Sequence, residues 1–120
     1  MDKNFVTIGV NSLDNSIAFY KDILGFTVEK RFQPANEIEL AFLVNADGFK
    51  IELVDRKDME KIDYSQAPLT LSFMTDDLDG IQQLLGKHSV TCVRFPLPTG
   101  IEILRLTDPD GLGIAFLKNK

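Results

Sequence analysis

The property that most restricts what this chain can fold into is that it repeats itself. Phe5 to Leu13 aligns with Thr70 to Leu78 at an offset of 65 residues, and Asp47-Gly48 aligns with Asp110-Gly111 at an offset of 63. A repeat longer than a helix and shorter than a domain implies two units that complete one another, because neither can bury its sheet face alone. The later copy of the turn, Asp108-Pro109-Asp110-Gly111, combines a fixed φ at proline with a glycine free to take positive φ. Used as a register mark, it sets Ala115 opposite Glu52.

Each copy has the same order of local signals. Phe5–Val10 alternates as a half-buried strand; Asn11-Ser12 offers a helix cap; Ile17, Tyr20 and Leu24 recur at helical spacing until Gly25. Strands over Phe26–Phe32, Ile38–Val44 and Phe49–Val54 follow, with Pro34-Ala35-Asn36 read as a loop. Arg56–Pro68 is a polar connection rich in breakers. The pattern then restarts with a strand over Leu69–Met74, Asp76-Asp77 capping a helix that carries Leu78, Ile81 and Leu85 and ends at Gly86, and strands over Thr91–Phe95, Ile101–Leu106 and Leu112–Leu117. The expected fold is α+β: two tandem βαβββ modules whose curved mixed sheets form a cleft, with helices on the outer faces. The whole chain, 1–120, reads as one domain, with module one at 1–55, a linker at 56–68 and module two at 69–120.

Composition narrows the function classes. With 44% hydrophobic residues, nine Phe and no Trp, 120 residues suffice for one packed core. No apolar run approaches the roughly 18 residues of a membrane span, and no basic segment leads into an apolar core as in a signal peptide. A cytoplasmic protein is expected. The net charge of −5 disfavours nucleic acid and anionic membrane as partners. A single cysteine, Cys92, and a single histidine, His88, leave no internal disulfide and no thiolate or imidazole cluster. They lie four apart, a spacing that could suggest an activated thiol, but fall at the end of the second helix with no third group to orient them, so they read as structural.

Alternation assigns one strongly apolar sheet face, carrying Val6, Ile8, Val10, Leu40, Phe42, Ile51, Leu53, Leu71, Phe73, Ile114 and Phe116, to the helices. The opposite face then presents Phe5, Thr7, Glu39, Ala41, Lys50, Glu52, Thr70, Ser72, Arg105, Gly113, Ala115 and Leu117, a mixture too polar for a second core and suited to a pocket. All of these but Ala41, Gly113 and Leu117 are the expected ligand-binding residues, with Glu52 near Lys50 and Glu39 and with Phe5 able to stack on a planar or cationic group.

The segment Val10-Asn11-Ser12-Leu13-Asp14-Asn15-Ser16-Ile17-Ala18-Phe19-Tyr20-Lys21-Asp22-Ile23-Leu24-Gly25-Phe26, the Thr75-Asp76-Asp77-Leu78-Asp79 turn and Thr107-Asp108-Pro109-Asp110-Gly111 together resemble the vicinal oxygen chelate superfamily of glyoxalase I, the bleomycin and fosfomycin resistance proteins and the extradiol dioxygenases. The resemblance covers nearly the whole chain and implies paired βαβββ modules in a homodimer. It also implies four metal ligands, from the first and last strand of each module, which fall here on Phe5, Glu52, Thr70 and Ala115. Only Glu52 is a strong donor, so no metal and no other cofactor is expected. The leading expectation is a metal-independent protein of the bleomycin-resistance type that binds a small organic ligand in the cleft between modules without catalysing a reaction. The alternatives are a metal-dependent lyase or dioxygenase with a degenerate site, and a ligand-free structural or interaction domain.

Overall fold

The structure, a computed structural model, describes residues 3–118. Its chain runs through β1 (Phe5–Val10), α1 (Leu13–Ala18), β2 (Thr27–Ala35), β3 (Ile38–Val44), β4 (Lys50–Arg56), β5 (Thr70–Thr75), α2 (Leu78–Lys87), β6 (Val93–Pro96), β7 (Glu102–Thr107) and β8 (Gly113–Lys118). These elements form two four-stranded sheets, ordered β1-β4-β3-β2 and β5-β8-β7-β6, each with one parallel pair and two antiparallel pairs. The expected pair of βαβββ modules is therefore present. The chain divides into two compact units after Ile62.

The repeat holds at the level of single hydrogen bonds. In module one the Asn45 side-chain oxygen accepts from the backbone N–H of Asp47 and Phe49; in module two Asp108 accepts from Asp110 and Leu112. Gly48 and Gly111 follow at φ of 84° and 87°, left-handed values that glycine adopts without the Cβ clash. Ser12 caps α1 by accepting from the Asn15 N–H, and Asp77 caps α2 by accepting from the Gly80 N–H.

A second repeated device joins helix to sheet. Arg31 of β2 reaches Asp14 of α1 at 2.8 Å and Glu39 of β3 at 3.0 Å. Arg94 of β6 reaches Asp79 of α2 at 2.6 Å and Glu102 of β7 at 3.1 Å. Each guanidinium thus straps the first turn of a helix to an edge strand of its sheet and that strand's inner neighbour. Hydrogen bonds to Glu39 and then Asp14 hold Arg31 well above its ordinary pKa, as Glu102 and then Asp79 do for Arg94.

Several boundaries differ from expectation. β2 continues through Pro34 instead of breaking there, because β2 is an edge strand in which a missing N–H can face outward, and irregular pairing between Phe32 and Ala35 takes up the strain. The first helix changes to a π-helical turn over Phe19–Ile23, which leaves Tyr20 fully buried with its carbonyl accepting from the Phe26 N–H. Gly86 lies inside α2 rather than ending it; the reversal falls on Ser89, at φ 56°. The stretch 56–68 is shared out: Asn11 exchanges two 2.7 Å hydrogen bonds with the Ile62 backbone, while the Tyr64 N–H donates to the Asp110 carbonyl.

Register corrects the faces in module one. Phe42 pairs with Glu52, and Ala41 with Leu53, so Leu40 and Phe42 stand on the side of Thr7 and Glu52, away from α1. Ala41 and Leu43, both fully buried, take the helix-facing side. Glu39, expected beside Glu52, shares that side with Asp55 and is engaged by Arg31. The physical reason is that the middle of β3 is buried on both faces, and such a strand shows no usable alternation.

Candidate functional site

The helix-free face of module one is largely spoken for by its own side chains. Thr7 donates its hydroxyl to a Glu52 carboxylate oxygen at 2.7 Å, across the β1–β4 pair that sets the two residues side by side. Lys50, only 5% exposed, pairs with Glu29 at 2.8 Å. A buried ammonium is tolerable only with such a partner. The Phe5 ring meets Phe42 edge to face at 5.1 Å, a contact worth about 0.5–1.5 kcal/mol beyond its area. Glu29, at the irregularity between Val28 and Lys30, was not foreseen, since a residue in a bulge escapes the alternation that sequence reading relies on.

Module two places its expected residues together. Ser72, Ala115 and Arg105 lie in one row across β5, β8 and β7, and Thr70 sits beside Gly113 in the neighbouring row. An Arg105 Nη2 donates to the Thr70 hydroxyl at 3.3 Å. Gly113 makes this approach possible. A Cβ there would stand 3.1 Å from the Thr70 hydroxyl oxygen and 3.6 Å from the guanidinium.

Beside this pair opens a cavity of about 510 Å³ in module two, walled by Pro68, Leu69, Val93 and Leu106 and reached by Thr70, Arg105 and Gly113. Cys92, read from sequence as remote from any pocket, lines it as well, because the chain entering β6 runs along the cavity's edge. Ser72 and Ala115 do not line it. Its lining is mixed, the apolar residues standing among the polar side chains of Tyr64, Ser65, Thr70, Thr91, Arg105 and Thr107. Two hollows of about 260 Å³ in module one include Glu39 in one case, and neither includes Phe5, Thr7, Lys50 or Glu52.

The positions that the vicinal oxygen chelate pattern assigns to a metal can now be compared by register. Thr7↔Glu52 in module one corresponds to Ser72↔Ala115 in module two. Phe5 and Ala115 carry no donor atom, Thr70 offers a neutral hydroxyl already taken by Arg105, and Glu52 is a lone carboxylate receiving Thr7. That set does not fit a divalent ion, which wants three or four protein N, O or S donors. Among the described residues, no cluster of three or more His, Cys, Asp or Glu side chains is assembled elsewhere.

Comparison with known proteins agrees with this architecture. The chain matches the model of the Glyoxalase/Bleomycin resistance protein/Dioxygenase superfamily over residues 4–116. It is 30% identical to a lactoylglutathione lyase of Haemophilus influenzae over 118 residues, covering 92% of this chain and 87% of that one. Among solved structures it resembles a glyoxylase/bleomycin resistance protein/dioxygenase domain from Frankia sp. EAN1pec, with a TM-score of 0.84 at 24% identity over 100% of this chain and 98% of that one. It likewise resembles the trypanothione-dependent glyoxalase I of Leishmania major, with a TM-score of 0.78 at 24% identity over 95% and 84% of the respective chains. At that identity the last two speak to fold alone.

Proposed function

This chain belongs to the Glyoxalase/Bleomycin resistance protein/Dioxygenase superfamily, and we propose that within it the protein binds a small organic molecule without a metal ion. The observation that carries the reading is the register itself: the row that holds Glu52 in module one holds Ala115 in module two, so the second carboxylate a chelate needs is missing from an otherwise repeated backbone. Lewis-acid chemistry requires an ion held by several protein donors. The Arg-bearing cavity of module two, lined by both apolar and polar side chains, supports binding as the remaining activity.

The protein is further proposed to be a cytoplasmic homodimer. Phe5 and Met74, at 43% and 53% exposure on the helix-free faces of their modules, are large apolar side chains that a partner chain would cover. Light scattering on the purified chain tests this, a monomeric mass at micromolar concentration being the adverse result. The competing reading, a lyase of the type named for the Haemophilus relative, is separated by elemental analysis together with an assay of lactoylglutathione turnover with and without added zinc. Absence of stoichiometric metal and of turnover is expected. Zinc-dependent turnover abolished by Glu52→Ala would replace binding with catalysis.

A further inference from the structure

Arg105 differs from the other arginines of the chain. There are four, and Arg31, Arg56 and Arg94 are each ion-paired to a carboxylate. Among the described residues, the Arg105 guanidinium makes one side-chain hydrogen bond, to the neutral hydroxyl of Thr70, and has no carboxylate partner. It also supplies the only formal charge among the described residues lining the 510 Å³ cavity. The equivalent position in module one is Phe42, whose ring closes that face against Phe5. Lys50, the equivalent of Gly113, is buried there against Glu29, where module two has no side chain.

We infer that the module-two cavity is a site for a monoanionic organic acid, its carboxylate held by Arg105 and Thr70 and its hydrocarbon body lying against Pro68, Leu69, Val93 and Leu106. The guanidinium fork matches the two oxygens of a carboxylate in one plane, and the Thr70 hydroxyl adds a donor at its edge. One cation suits one negative charge, and Pro68, Leu69, Val93 and Leu106 give the hydrocarbon part of the ligand apolar surface within an otherwise mixed lining. The protein's overall charge of −5 does nothing to attract an anion, so recognition rests on this local group and weakens as salt rises. The inference rests on the proposed binding function and narrows it to a ligand class and a module.

The test is calorimetric titration of the full chain with octanoate and benzoate, against octanamide, benzamide, octylamine and inorganic phosphate. Both acids are expected to saturate one site per chain. Their neutral amides should bind about tenfold more weakly or worse, and Arg105→Gln should lower acid affinity by a similar factor and amide affinity by less, the difference being the size expected of a charge-assisted hydrogen bond. Gly113→Ala, which crowds Thr70 and Arg105 without removing either, provides a second variant and should also weaken the acids. Amides or octylamine binding as tightly as the acids, phosphate binding in their place, or undiminished acid binding by folded Arg105→Gln protein would overturn the ligand class while leaving a small-molecule binder. If no member of the panel binds, both readings fall; if the acids bind only with added zinc, the site survives and metal independence does not.

Discussion

The two modules share a backbone and part company on one face. Both carry the same side-chain-capped turn before the last strand, the same polar N-cap, and the same Arg–Asp–Glu strap between the helix, an edge strand and its neighbour. All of these act on the helix-facing side or at loop ends, where they fix how a single βαβββ unit closes. The helix-free faces differ row by row: Phe42, Lys50 and Glu52 in module one stand where Arg105, Gly113 and Ala115 stand in module two. Side chains there are not needed to seat the helix, so one face can be closed by an aromatic pair and an ion pair while the other stays open around a guanidinium.

The largest effect is expected from undoing the difference at the metal positions. Phe5→His, Thr70→His and Ala115→Glu, which with the native Glu52 restore the four-ligand set that the superfamily resemblance implies, should give a protein that takes up zinc. At metal one hundred times the dissociation constant, stability should rise by about 2.7 kcal/mol. A triple variant that folds but neither gains metal by elemental analysis nor shifts in thermal unfolding would break the equation of Glu52 with Ala115 as ligand positions.

Next in size are the paired core positions Ile51 and Ile114, both fully buried and equivalent by register. Truncation of either to alanine should cost about 2–5 kcal/mol in chemical denaturation. Similar losses would show the two cores to be equivalent, whereas one silent position would show that the modules contribute unequally.

The turn glycines should be affected less, and unequally. Alanine at either adopts a left-handed conformation at a cost of about 1–2 kcal/mol. At Gly111 the new Cβ also meets the Ser65 backbone nitrogen at 3.1 Å, while at Gly48 it meets only the mobile end of Lys3. Gly111→Ala should therefore lower the melting temperature more than Gly48→Ala; the reverse order would deny the role of module two's turn in holding the 63–65 segment.

Smallest are the charge effects, which separate the modules by pH. In module two the Arg94 hydrogen bond and charge hold Asp79 below its ordinary 3.8, so its stabilisation is present above that value and disappears as pH falls through the lowered one. In module one a hydrogen bond to Asp55 raises Lys57 above 10.5, so its stabilisation is present below 10.5 and disappears as pH rises through the raised value. Unfolding curves of Asp79→Asn should converge with wild type in acid and those of Lys57→Gln in alkali. Parallel curves across the whole range would remove this distinction.

Much of the fold was legible because its signals are local. The βαβββ order, both N-caps, the turn register and the grouping of Thr70, Ser72, Arg105 and Ala115 all follow from short-range patterns and their repetition. The strap follows the same offsets: Arg31 and Arg94 are 63 apart, Glu39 and Glu102 are 63 apart, and Asp14 and Asp79 are 65 apart. Through the third strand the offset of 63 matches Glu39 with Glu102 and Phe42 with Arg105, which sets Glu39 off the face of Glu52.

By itself the sequence determined that there are two homologous halves, what elements each contains, and that a carboxylate present in one is absent from the other, since periodicity and turn chemistry act over a few residues. Only the tertiary structure decided which way β3 faces, that Glu29 neutralises Lys50, and that Arg105 is left with Thr70 beside an open cavity. Those outcomes depend on pairing register and on which residues meet across strands far apart in the chain. No local periodicity encodes them when both faces of a strand are buried.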